Sequence, residues 1–198
     1  SKLTNLNASG NIREITLPGN TFDLSSLTGF DVSKARNWQG GTVSGNTLTV
    51  DGNAAVVIYS YDISYTGTEL DDEEKDVIFT LAIAGRGTDI DINKTNFPDK
   101  DFRELLLDKE ANIDRNQDGK LSTWEIALVQ DIDVYDMEIA DLTGIEYFTE
   151  LKYLVITSQV WTSAGIPSWP SWMQRITHIR LLRSTTDFIL PLCLRVLM

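Results

Sequence analysis

The chain has 198 residues, 42% hydrophobic content and a formal net charge of −12. That length accommodates one or two domains with a real core. Such an acidic chain lacks the basic face that nucleic acid or anionic lipid requires, so neither partner is expected, and its charge suits solubility and cation binding.

From the N-terminus, SKLTNLNASGN has no signal-peptide character, and the expectation is that a leader or earlier repeats precede it. LNASGN (6–11) and ITLPGN (15–20) echo one another, each ending in a Gly-Asn turn. Ile15, Leu17, Phe22, Leu24 and Leu27 follow a strand, bend and return pattern, which predicts that residues 1–40 are the C-terminal end of a solenoid. Residues 41–86 change character. Gly45-Asn46 between TVS and TLTV predicts a hairpin. AAVVIYSYDI and VIFTLAIAG, with Val77, Phe79, Leu81 and Ile83 alternating, complete a small antiparallel β cap. The acids between them (Glu69, Asp71, Asp72, Glu73, Glu74 and Asp76) have no ligand spacing and read as a solvated loop.

RGTDIDINKTN (86–96) reads as a linker. Phe97-Pro98 opens a helix with Asp99 and Asp101 in its first turn and an apolar face of Phe102, Leu105 and Leu106. A second short helix starts near Ser122 or Thr123 and carries Trp124, Ile126 and Val129. Residues 94–130 are therefore expected to form a helix–calcium loop–helix cap. From 131 to 198 a second repeat segment with an irregular tail is expected. Ile132-x-Val134 recurs 22 residues later as Leu154-x-Ile156, and a further unit with Met173, Ile176, Ile179 and Leu181 stands in register at a 25-residue step. Trp161, Trp169 and Trp172 fall in the insert between these units. They are candidate ligand-binding aromatics for a sugar or protein, although covering the open end of the repeats is the favoured use for them, because that end must be covered by something.

The stretch DRNQDGKLSTWE (114–125) places oxygens where a twelve-residue calcium loop needs them. The ligands at positions 1, 3, 5, 7, 9 and 12 of such a loop would be Asp114, Asn116, Asp118, the carbonyl of Lys120, Ser122 and Glu125. Gly119 falls at position 6, where the chain bends sharply. A competing account needs no ion: Ser122-x-x-Glu125 is a capping box that starts a helix, and Asp118-Gly119 is a common turn. That account leaves Asp114 and Asn116 unexplained, so calcium is the expected cofactor, with magnesium or sodium as weaker occupants. A single loop argues for a structural clip rather than a sensor, because sensors pair their loops through position 8, here Leu121.

These residues resemble a family. TNFPDKDFRELL, IDRNQDGKLSTWEI and IDVYDMEIADLTGIEYFTELKYL are similar to the N-terminal cap and first repeat of bacterial surface leucine-rich-repeat proteins, including internalin-like ones. The family's first repeat reads I-x-V, then I-x-D-L-x-G-I-E-Y-F-x-x-L-x-x-L. Ile132, Val134, Ile139, Asp141, Leu142, Gly144, Ile145, Glu146, Tyr147, Phe148, Leu151 and Leu154 match it. LPGNTFDLSSLTGFDVSKARNWQGGTVSGNTLTV looks like a C-terminal repeat with its β cap, so an ending here precedes a beginning. Over residues 1–156 the resemblance implies an extracellular or cell-surface protein that binds a protein or glycan ligand, with no catalytic residues to transfer.

The expected fold class is therefore α+β: leucine-rich-repeat solenoid pieces with a small antiparallel β cap and a helix–calcium loop–helix cap. The expected role is a non-enzymatic, calcium-stabilised surface or secreted protein. A structural connector between two solenoids and a dockerin-like accessory module of a secreted carbohydrate-active enzyme are the alternatives. No membrane insertion is expected, and open solenoid ends would favour self-association. His178 is the sole histidine and has no nucleophile motif to serve, and Cys193, the sole cysteine, lies in an apolar run and excludes an intrachain disulfide.

Overall fold

Short apolar segments broken by Gly-Asn, Gly-Gly and Asp-Gly turns give strands little room to grow and helices less. The computed structural model describes residues 11–63, 76–135, 137–157 and 178–182. Among these residues, twelve strands form four small sheets, and there are two α-helices. The chain divides into two compact units, Ser1–Arg86 and Gly87–Met198.

In the first unit, β1 (Asn11–Thr16), β2 (Thr21–Asp23), β3 (Ala35–Gln39), β4 (Gly41–Ser44), β5 (Thr47–Val50), β6 (Val56–Asp62) and β7 (Asp76–Ala84) make two sheets. The hairpin β4–β5 turns at Gly45, whose φ of 56° suits glycine, and β2 adds to it in the order β2-β5-β4. The larger sheet has the order β1-β7-β6-β3. Its β3–β6 and β6–β7 pairs are antiparallel, but β1 runs parallel to β7, with Asn11 opposite Phe79 and Ile15 opposite Ile83. Alternation along the strands sends Ile15, Val57, Leu81 and Ile83 to one face, where they bury themselves with Leu24, Leu27, Leu48 and Val50. Each such side chain contributes roughly 1.5–3 kcal/mol by leaving water.

In the second unit, β8 (Ile90–Asp91) pairs with β9 (Lys120–Leu121), and α1 (Lys100–Leu107) and α2 (Thr123–Leu128) flank β9 in sequence. Three parallel strands follow in chain order: β10 (Asp131–Asp133), β11 (Tyr153–Thr157) and β12 (His178–Leu182). Ile132 stands opposite Leu154, and Leu154 opposite Ile179, so the register follows the repeat steps of the sequence. The core gathers Phe97, Phe102 and Leu106 from α1 and its approach with Leu121, Val134, Ile145, Phe148 and Leu154. Gly144, at φ 101°, starts a 3₁₀ turn over Ile145–Tyr147. An added Cβ there would strike the Phe97 ring and come to 2.6 Å from the Asn96 carbonyl oxygen. Among the described residues no helix is long and apolar enough to cross a membrane.

This architecture corrects the expected fold class. The protein is mostly β, built from several small sheets; no solenoid forms among the described residues, and a helix–loop–helix cap is not seen. Residues 11–40 do not end a stack of repeats, because β1 pairs with β7 and its apolar side chains enter the core of their own unit. The cap over 41–86 is not a single antiparallel sheet, since one of the two sheets is mixed. The α-helices have only eight and six residues, too short to act as paired arms. Part of the expected linker is a strand, β8, on which the loop after α1 is hung. Trp161, Trp169 and Trp172, the acids 69–74 and Cys193 lie outside the described residues. His178 lies on β12 opposite Tyr153.

Candidate metal centre

Two buried apolar residues pin the loop. Ile113 and Leu121 are 5% and 0% exposed, and everything between them is polar. The chain leaves α1 through Asp108, whose N–H bonds the Leu105 carbonyl, and the N–H of Asp114 returns to the Leu106 carbonyl at 3.2 Å. At the far end Leu121 pairs with Ile90 on β8, and the Ile92 N–H bonds the Gly119 carbonyl at 3.0 Å. Reversal within so few residues demands left-handed backbone, which Gln117 (φ 59°) and Gly119 (φ 78°) supply. A Cβ at Gly119 would meet nothing within 4 Å, so glycine is needed there for its backbone conformation rather than for space.

The polar side chains then fold inward onto the loop's own N–H groups. Asp114, 2% exposed, accepts from Asp118 N–H (3.2 Å) and Gly119 N–H (3.0 Å). The Oδ1 of Asn116 accepts from Asp118 N–H at 3.0 Å, while its Nδ2 donates to Asp118 Oδ2 at 3.1 Å. Asp118 Oδ1 in turn accepts from Lys120 N–H at 2.9 Å. Glu125 is fully buried. Its Oε1 accepts from the N–H groups of Arg115 (2.8 Å) and Asn116 (3.2 Å), and its Oε2 from the N–H (2.8 Å) and Oγ (2.7 Å) of Ser122. Ser122 and Glu125 complete the reciprocal capping box of α2. A buried carboxylate is tolerable only when so satisfied.

Of the six predicted ligand residues, Asp114, Asn116, Asp118, Ser122 and Glu125 thus belong to one hydrogen-bonded loop. Asp114 and Glu125 are buried, Ser122 is half-buried, and Asn116, Asp118 and Lys120 are exposed. Lys120 sits on β9 opposite Asp91, and its ammonium lies 3.7 Å from the Asp91 carboxylate. Among the described residues no three His, Cys, Asp or Glu side chains converge as a metal-holding group. The donor set nevertheless fits a hard divalent cation. It consists of oxygens alone, and the loop closes two carboxylates away from water. Both Glu125 oxygens are engaged by N–H and O–H donors, so an ion would have to share them.

Sequence reasoning missed one residue here and gave another only half of its role. Arg115 stands beside Glu125, half-buried, and its Nε is buried with no hydrogen-bond partner among the described residues. Burial pushes its guanidinium pKa down, and the Glu125 charge opposes that shift. Only its position inside the loop could have drawn notice. Asp99 does more than sit in a first turn. It is the N-cap of α1, accepting from Asp101 N–H (2.9 Å) and Phe102 N–H (3.0 Å), and its other oxygen takes the N–H groups of Ala140 (2.8 Å) and Asp141 (3.1 Å). Burial alone would raise its pKa, but the four N–H donors lower it overall. An aspartate after Phe-Pro signals the cap, but nothing local signals the partner forty residues on.

No family model matches the sequence, and no curated protein matches it significantly.

Proposed function

We propose that the chain is a non-enzymatic, calcium-stabilised surface or secreted protein that binds a protein or glycan ligand, with calcium as a structural clip in the loop 114–125. The observation that carries this is the coincidence of ligand spacing with burial: Asp114 and Glu125, the first and last positions of the twelve-residue pattern, are the two carboxylates that burial has nearly closed off from water. Capping accounts for Glu125, and the N–H groups of Asp118 and Gly119 account for a buried acceptor at Asp114, but neither requires that the two carboxylates fall at the two ends of the ligand spacing. Asp114, Asn116, Asp118, Ser122 and Glu125 would hold the ion through side-chain oxygens and Lys120 through its carbonyl. When bound, calcium would neutralise the loop acids and tie the end of α1 to the start of α2. The resemblance to bacterial surface proteins supports the location and the binding role, and the lack of a nucleophile motif in the sequence supports the non-enzymatic reading.

The test is thermal unfolding with calcium against chelator. An ion that binds the folded state alone, present at a hundredfold its Kd, adds about 2.7 kcal/mol, so a clear rise in melting temperature is expected. Asp118→Ala, at an exposed position, should fold normally and lose most of the rise. Asp114→Ala combined with Glu125→Ala should lose all of it. A melting curve of the unsubstituted protein that calcium leaves unchanged would overturn the calcium reading.

A further inference from the structure

The first unit carries a ladder of rings that the calcium loop does not involve. Trp38 and Tyr59 stack with centroids 4.6 Å apart and planes 20° from parallel, and Tyr59 and Phe79 stack at 5.7 Å and 17°. The register explains the ladder. Phe79 on β7 lies opposite Tyr59 on β6 and, on its other side, opposite Asn11 on β1. The stack ends at Phe79 because β1 supplies an asparagine at the next rung instead of a fourth ring. A groove of about 330 Å³ opens there, lined in part by Asn11, Arg13, Thr28, Tyr59, Tyr61 and Phe79. That volume is at the small end of ligand clefts.

The chemistry of the groove is one-sided. No carboxylate lines it among the described residues, and Arg13 is its one charged lining residue. Arg13 is exposed and has no ion-pair partner among the described residues. The Tyr61 hydroxyl accepts from Asp31 N–H at 3.0 Å, which leaves its own proton to donate. Burial first, and Tyr61 second, push the Tyr59 phenol up to about 12, with Arg13 opposing, so Tyr59 also keeps a proton to donate. The groove therefore offers one ring at the end of a stack, several hydrogen-bond donors and a cation. Hydroxyls in the lining accept as well as donate, so a neutral sugar would find partners too, but only an anionic one would use the charge of Arg13. A proline-rich peptide needs slots between aromatic ridges, and rings stacked at 4.6 and 5.7 Å leave none.

We infer that this groove binds an anionic carbohydrate, a uronic-acid unit stacked at the Phe79 end of the ladder with its carboxylate on Arg13. The inference rests on the reading of the chain as a ligand-binding protein and narrows that ligand to an acidic glycan. The net charge of −12 works against an anion at long range. Exposed charges farther off than about 8–10 Å are largely screened at physiological salt, so the immediate neighbours of the ligand decide.

The experiment is titration calorimetry of the whole chain with a panel of uronic-acid oligosaccharides: trigalacturonate, trimannuronate, triguluronate and a hyaluronan hexasaccharide. Fully methyl-esterified trigalacturonate and a proline-rich peptide serve as comparators. At least one uronate should bind, and the ester, which keeps the ring and loses the charge, should not. Arg13→Gln should weaken binding by about tenfold or more, as loss of a charged hydrogen-bonding partner does. Phe79→Leu, which keeps apolar bulk without the flat ring, should weaken it about tenfold. Should Phe79→Leu fail to fold, the exposed Arg13→Gln decides the matter alone. The inference is overturned if no member of the panel binds, if the ester binds as well as the acid, if Arg13→Gln changes nothing, or if the peptide binds the groove instead. A protein that calcium stabilises but that ignores the panel loses this inference and keeps the calcium reading; uronate binding without any calcium effect does the reverse.

Discussion

Asp99 holds four backbone N–H groups with one carboxylate, two at the start of α1 and two at residues 140 and 141. Replacing it with alanine removes a helix cap and leaves both pairs of donors to find water. Asp99→Ala is expected to cost about 2–4 kcal/mol, by the usual worth of a cap and of hydrogen bonds to a charged group. Asp99→Asn, with one acceptor oxygen instead of two, should cost about half of that. The pH dependence has a definite sign. Burial works against the charged form, the N–H donors outweigh it, and the folded pKa lies below the unfolded value. The stabilisation is therefore present above the unfolded aspartate pKa of about 3.9 and is lost as pH falls through the lower folded pKa. Urea midpoints measured between neutral pH and pH 2 should fall more gently in Asp99→Ala than in the unsubstituted protein. Gly144 is a second residue with no substitute. At φ 101°, with the Phe97 ring where a Cβ would be, Gly144→Ala combines backbone strain with overpacking and should cost about 2–4 kcal/mol in chemical denaturation. Both positions were partly legible in the sequence. Asp99 could be read as an acid at a helix start and Gly144 as a match to a repeat pattern. What each one touches is set by residues far along the chain, which no local signal encodes.

At the scale of elements, the loop 114–125 separates what capping does from what an ion would do. Glu125 is buried with four donors pointing at it, so its worth does not depend on calcium. Glu125→Gln places an amide N–H₂ where donors already point, and should cost about 2–3 kcal/mol even in chelator. Asp118 is exposed, and its bonds are confined to its own turn. Asp118→Asn should cost under about 1 kcal/mol in chelator and show its larger effect only when calcium is present. Equal losses for Asp118→Asn with and without calcium, in denaturant titrations, would count against the clip. The turn glycine and the capping box were legible because both are local signals. The hairpin at Gly45 and the steps from Ile132 to Leu154 to Ile179 were legible for the same reason. β1 was not. A short apolar strand followed by LPGN carries the same local signal whether it stacks on a repeat or pairs with a distant strand. Its parallel partner β7 begins sixty residues past its end, beyond the reach of periodicity. The ring ladder was hidden likewise: Tyr59 and Phe79 each read as ordinary alternation, and only the register brings them together.

At the scale of the molecule, each unit has its own core. Every buried member of one cluster lies at or before Ile83, and every member of the other at or after Phe97. Substitutions in either core should therefore register first in the unit that contains them. Leu81 and Phe102 are 1% and 0% exposed, and truncation of a buried Leu or Phe to alanine costs about 2–5 kcal/mol, because a cavity is left as well as lost transfer energy. Tryptophan gives a reporter in each unit, Trp38 in the first and Trp124 in the second. With Trp161, Trp169 and Trp172 changed to phenylalanine, and one of the two reporters removed in turn, fluorescence follows one unit at a time. Leu81→Ala should lower the midpoint seen by Trp38, and Phe102→Ala the midpoint seen by Trp124. Calcium should raise only the midpoint seen by Trp124, because the proposed ligands all lie in its unit, with Ser122 capping α2 and Glu125 next to Trp124 on it. A calcium effect of equal size at Trp38 would show that the ion acts on the chain as a whole, and would move the proposed clip from the loop to the global charge of −12.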